Sequence, residues 1–118
     1  MTLAKHIYRQ RLLIEAHFDI EVSETVIVNF IDGICKELNV TKAIESAFIN
    51  CSYGKGKEEN QGIEAFQPLI ESGISIYTWD ESKFLSLIIF TCKAFDNSKA
   101  IQYTKKFFKF SEFTTLVF

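Results

Sequence analysis

In Glu71-Ser72-Gly73 the serine is a candidate nucleophile, or the three residues form only a turn before a strand. They precede the segment ISIYTW, whose side chains alternate between the two sides of a predicted strand. An ordinary turn uses the same residue types, so these residues alone leave both alternatives open.

Other side chains that could take part in a reaction lie before and after these three residues in the sequence. Glu58, Glu59 and Glu64 form an acidic cluster, for which a solvated loop is the simplest interpretation. Cys92 ends an apolar predicted strand, where a buried and inert cysteine is the usual finding. Nothing in the pattern brings both of the histidines near a serine or cysteine, so it does not favour a hydrolase triad.

Composition excludes several classes of protein. The 118 residues carry a net charge of −2, which gives no basic surface for nucleic acid. The longest apolar run, residues 85–90, is too short to span a bilayer, and the N-terminus lacks the apolar core of a signal peptide. Three cysteines without metal-ligand spacing predict a reducing cytoplasm and no metal site.

The elements that must position these residues can be predicted from periodicity and caps. Ser23 and Asp96 or Asn97 are helix N-caps, each followed by a stripe of apolar residues at helical spacing. Pro68 indicates an edge strand or a bulge, and the glycine-rich segment 52–62 is expected to be a mobile loop. The predicted strands are residues 11–17, 42–50, 63–70, 73–79, 84–92 and 113–118.

These elements predict an α+β fold in one domain of residues 1–118. The order is β-α-β-β-β-β-α-β, which favours a two-layer α/β sandwich. Its sheet is expected to be mainly antiparallel, with two helices on one face. The twelve phenylalanines are explained by an aromatic core or by a surface that a second subunit covers.

The segment ESGISIYTW, followed by a strand ending in FTC and by a capped helix, resembles the small bacterial and archaeal S-adenosylmethionine decarboxylases. The resemblance implies self-cleavage between Glu71 and Ser72, which converts Ser72 into a covalent pyruvoyl group. That group would form a Schiff base with a small-molecule substrate and accept its electrons on decarboxylation. It also implies that Cys92 is the proton donor, that Glu81 binds the substrate ribose, and that the chain forms a homodimer.

The chain also departs from the family pattern. Tyr77 occupies the position of the histidine that assists processing, and Gly73 that of the histidine after the serine. Glu64 replaces a family serine, and Glu58 and Glu59 lie where the family has an adenine-binding segment.

Three hypotheses follow from the resemblance and these departures. The first is an S-adenosylmethionine decarboxylase of polyamine and spermidine biosynthesis. The second keeps the pyruvoyl chemistry but acts on ornithine or arginine, with Glu58, Glu59 and Glu64 binding the cationic tail. The third is an unprocessed, non-catalytic relative.

Overall fold

A computed structural model describes residues 3–118. Of the two capped helices in this range, the first follows the first strand and the second precedes the last strand. Helix α1 spans Glu24–Leu38, and its N-cap Ser23 accepts a hydrogen bond from the Val26 N–H at 3.2 Å. Helix α2 spans Asn97–Phe108, and Asp96 caps it through the Lys99 N–H at 3.2 Å. Both helices therefore begin where side-chain oxygens satisfy their first amides.

Six strands form one sheet in which every neighbouring pair is antiparallel. The strand order is β2-β3-β4-β5-β1-β6, so the first strand is inserted between the fifth and the sixth. The bounds are β1 Gln10–His17, β2 Phe48–Cys51, β3 Ile63–Leu69, β4 Ser72–Trp79, β5 Phe84–Thr91 and β6 Glu112–Val117. The predicted element order and the α+β sandwich are confirmed.

One face of the sheet packs against both helices and forms the core. Alternate residues of the central strands are buried there, as period-two patterning requires. The Phe30 ring of α1 lies 4.8 Å from the Phe108 ring of α2, which joins the two helices over the sheet. The fully buried side chains include Leu12, Ile14, Ile27, Ile34, Ile74, Ile76, Leu85 and Leu87.

The opposite face, which we call the open face, is covered by neither helix of the described residues and carries many apolar side chains. The strand register places one apolar row across all six strands, interrupted only at Ser75. Phe48, Leu116 and Phe66 in this row are 64%, 55% and 42% exposed. The row consists of Phe48, Phe66, Ser75, Ile88, Leu13 and Leu116.

One prediction about the middle of the chain needs correction. The strand predicted over residues 42–50 is wrong in its first half, since regular pairing begins only at Phe48 and Lys42 forms an isolated bridge with Leu69. The buried Gln67 side chain holds the intervening coil by donating to the Ile44 carbonyl at 2.9 Å. Segment 52–62 contains a short 3₁₀ turn, Glu58–Asn60.

Pro68 lies in an interior strand, so the prediction of an edge strand is wrong for β3 as a whole. The pairing of β2 with β3 ends at Phe66, however, and the chain beside Pro68 is coil. There the Ala43 N–H donates to the Pro68 carbonyl at 2.9 Å. The missing proline N–H therefore removes no regular bond of that ladder.

Candidate functional site

Ser72 has a backbone conformation that L-residues rarely adopt. It follows a two-residue hairpin connection, Ile70-Glu71, because Leu69 pairs with Ser72 across the turn. Two-residue hairpins prefer residues with positive φ in the turn itself, usually asparagine and glycine. Here neither Ile70 nor Glu71 has positive φ, while Ser72 has a φ of 138°. The strain of the turn is therefore located at the serine.

The backbone around the Glu71–Ser72 bond is held from two sides. The Cys92 N–H donates to the Glu71 carbonyl at 2.7 Å. The Thr41 N–H donates to the Glu71 carboxylate at 2.9 Å, and the Thr41 carbonyl accepts from the Ile70 N–H at 2.9 Å. The amide of Cys92 thus polarises the carbonyl that a Ser72 hydroxyl would attack, as an oxyanion-binding donor does.

Cys92 comes directly after β5, beside the start of β4. Thr91, the residue before Cys92, pairs with Ser72, so the two candidate catalytic residues lie close together at one end of the sheet. Cys92 is exposed, whereas Cys35 is buried in the core and burial raises the pKa of its thiol to about 11. The prediction of a buried Cys92 is therefore wrong, and its thiol is accessible at this end of the sheet.

Tyr77 and Glu81 lie away from this end. Tyr77 is five residues along β4 from Ser72, about 16 Å at the usual strand rise. Glu81 lies in the turn after Trp79, at the opposite end of β4. Within one chain the structure therefore brings together Glu71, Ser72 and Cys92, and leaves Tyr77 and Glu81 apart from them.

The three acidic candidates do not form one group. Glu64 lines a cavity of about 350 Å³ on the open face, together with Phe48, Phe66 and Tyr77. Glu58 and Glu59 are exposed on the 3₁₀ turn and do not line this cavity. Of the predicted cation-binding cluster, only Glu64 lies in the cavity.

A model of the family described as "S-adenosylmethionine decarboxylase" matches residues 13–118. The chain belongs to the S-adenosylmethionine decarboxylase family. Sequences named S-adenosylmethionine decarboxylase proenzyme, from Clostridium botulinum strains Langeland and Hall, are each 30% identical over 95 residues. That alignment covers 80% of this chain and 75% of each relative.

The fold agrees with this family assignment. The crystal structure of the adenosylmethionine decarboxylase from Aquifex aeolicus superposes with a TM-score of 0.71 at 21% identity. The superposition covers 95% of this chain and 89% of that one.

Sequence reasoning missed two residues that contact the candidate site. Thr41 holds both Glu71 and Ile70, but its position in an irregular segment gives no signal in the sequence. The Phe66 ring packs against Gly73, where an added Cβ would lie 2.5 Å from the ring. Gly73 carried a partial signal, because a glycine within a strand often marks a close approach by another group.

Proposed function

We propose that this chain is a self-processing, pyruvoyl-dependent decarboxylase, and that S-adenosylmethionine is the substrate supported by kinship. The observation that carries the proposal is the strained Ser72 directly after a carbonyl held by the Cys92 amide. Strain in the reactant and a donor aimed at the attacked oxygen both lower the barrier to acyl transfer.

The cleavage would proceed through residues of the hairpin. The Ser72 hydroxyl oxygen bonds to the Glu71 carbonyl carbon, the amide C–N bond breaks, and the hydroxyl proton passes to the nitrogen. Loss of the Ser72 Cα proton then breaks the ester Cβ–O bond and releases residues 1–71 with a free carboxylate. Water replaces the nitrogen, ammonia leaves, and Ser72 becomes a pyruvoyl group.

The pyruvoyl group would supply an electron sink for decarboxylation. In this proposal Cys92 delivers the proton that replaces the carboxylate, and its exposure and its position beside Ser72 support that role. These residues fit a pyruvoyl group that forms from Ser72 itself, since Ser72, the Glu71 carbonyl and the Cys92 thiol all lie at one end of the sheet. In this proposal the product amine enters spermidine synthesis in the cytoplasm.

A second copy of the chain would complete the site. Glu81 and Tyr77 cannot reach Ser72 of their own chain, whereas two open faces packed together can bring one end of a sheet to the opposite end of its partner. The exposed apolar row gives such a packing a hydrophobic contact surface. We therefore propose a homodimer, and a monomer in light scattering at micromolar concentration contradicts it.

Mass spectrometry of the purified chain tests the cleavage. The parent is expected to give two fragments, residues 1–71 and 72–118, and Ser72→Ala a single intact chain. Carbon dioxide release from S-adenosylmethionine should follow the cut form only. A parent that stays intact overturns the proposal and favours a non-catalytic relative.

A further inference from the structure

Residues 39–42, which we call the strap, connect the end of α1 to the hairpin before Ser72. Asn39 ends the helix as its C-cap, with a φ of 54°. Lys42 then forms a backbone bridge with Leu69, the last residue of β3. The strap therefore runs beside the turn that contains the proposed cleavage bond.

The strap is fixed to the rest of the chain along its length. Val40 is 8% exposed and packs in the hydrophobic core. The Lys42 ammonium donates to the Asp32 carboxylate of α1 at 2.8 Å. The Lys93 ammonium, next to the candidate thiol, donates to the Asn39 carbonyl at 2.8 Å. Burial and these two contacts hold the strap against α1 and the end of β5.

The turn is held by the strap and not by burial of its own side chains. Ile70 is 69% exposed. Its N–H donates to the Thr41 carbonyl at 2.9 Å, and the Thr41 N–H donates to the Glu71 carboxylate at 2.9 Å. A hydrogen bond to an ionised group is about twice as strong as a neutral one. The Glu71 side chain therefore makes the stronger of the two bonds to the strap.

Glu71 is consequently held at two points by two different parts of the chain. Its carbonyl accepts from the Cys92 N–H at 2.7 Å, at the end of β5, and its carboxylate accepts from the strap. With both groups held, rotation of Glu71 cannot relieve the φ of 138° at Ser72. Two reacting groups that are held in one geometry react faster than groups that must first find it.

We infer that the Glu71 carboxylate positions the peptide carbonyl for attack by Ser72, and that the Thr41 amide is its anchor. The inference rests on the self-cleavage proposed above. The carboxylate exchanges no proton and forms no bond in that reaction. It acts through the strap, by keeping the Glu71 carbonyl on the Cys92 amide and Ser72 in its strained conformation.

The rate of self-cleavage tests this inference. The full-length chain is made by cell-free synthesis in a short pulse, and the cut fraction is followed over time by mass spectrometry. Glu71→Leu keeps a side chain of similar size but removes the acceptor. It should slow the cut by about tenfold to a hundredfold, the effect of losing one charge-assisted hydrogen bond.

Two variants separate positioning from a general loss of structure. Glu71→Gln keeps a side-chain oxygen for the Thr41 N–H, and should be cut faster than Glu71→Leu by about fivefold or more. Glu45→Leu is the matched control, since Glu45 is an exposed carboxylate in the coil that follows the strap. This control should be cut within about twofold of the parent rate, as for an ordinary surface substitution.

The melting temperature gives a second measurement that does not need the cut. Ser72→Gly and Ser72→Ala both remove the hydroxyl, and the glycine variant should melt several degrees higher because it tolerates the positive φ. When Glu71→Leu is added to both, the turn can relax, and this difference should disappear or reverse. Adding Glu45→Leu to both should leave the difference unchanged.

Three results overturn the inference: Glu71→Leu cut as fast as the parent, Glu71→Gln cut as slowly as Glu71→Leu, or an advantage of glycine at position 72 that persists with Glu71→Leu. A parent that stays intact overturns the decarboxylase function instead. The melting temperatures then still decide whether the Glu71 carboxylate holds position 72 under strain.

Discussion

Ser72 offers a direct test of backbone strain, because alanine and glycine both remove its hydroxyl but only glycine tolerates its φ of 138°. A non-glycine residue in such a conformation costs about 1–3 kcal/mol. Glycine in turn loses about 0.5–1 kcal/mol relative to alanine through the entropy of the unfolded chain. With the middle of each range, Ser72→Gly should therefore be more stable than Ser72→Ala by about 1 kcal/mol.

Thermal unfolding at one fixed protein concentration measures this difference. For a domain of this size, the melting temperature should rise by roughly 2–10 °C from the alanine to the glycine variant. Ser75 provides the matched control, since it lies in the same strand without a positive φ. There glycine should be less stable than alanine by about 0.5–1 kcal/mol. If glycine is no better than alanine at position 72, the reasoning from strain is wrong.

Two further substitutions test the packing of the helices and the role of the thiol. Gly33→Ala places a Cβ 1.7 Å from the Tyr103 hydroxyl and should destabilise the chain by about 1–3 kcal/mol in urea unfolding. Adding Tyr103→Phe removes that hydroxyl and should recover part of the lost stability. No recovery would show that the contact with Tyr103 is not the cause. Cys92→Ala should lower carbon dioxide release by at least about a hundredfold, while the chain is still cleaved between Glu71 and Ser72. Unchanged turnover would show that Cys92 has no role in the reaction.

Helix caps and the alternation of apolar residues predicted the helices and strands well where the apolar residues are also the buried ones. Ser23 and Asp96 act as the caps that the sequence indicates, and the alternation of β4 matches its buried and exposed faces. The sequence does not reveal that the first half of the strand predicted over residues 42–50 is coil. Its residues are compatible with a strand, and only the tertiary contact from Gln67 shows that they form coil.

The layout of the site was only partly predictable. The segment from Ser72 to Glu81 is contiguous in sequence. The eight-residue strand β4 begins at Ser72 and ends before Glu81, so these two residues do not meet. Strand geometry alone indicates this separation. In contrast, the contact of the Phe66 ring with Gly73 depends on which strands become neighbours, and sequence spacing carries no such information.

The insertion of β1 between β5 and β6 determines what a cut after Glu71 would produce. Residues 1–71 hold β1, α1, β2 and β3, and residues 72–118 hold β4, β5, α2 and β6. Because β1 hydrogen-bonds on both edges to strands of the other piece, and β3 pairs with β4, three ladders cross the break. The products would be two interlocked polypeptides, each supplying one helix to a shared core, and neither could leave without unfolding the other.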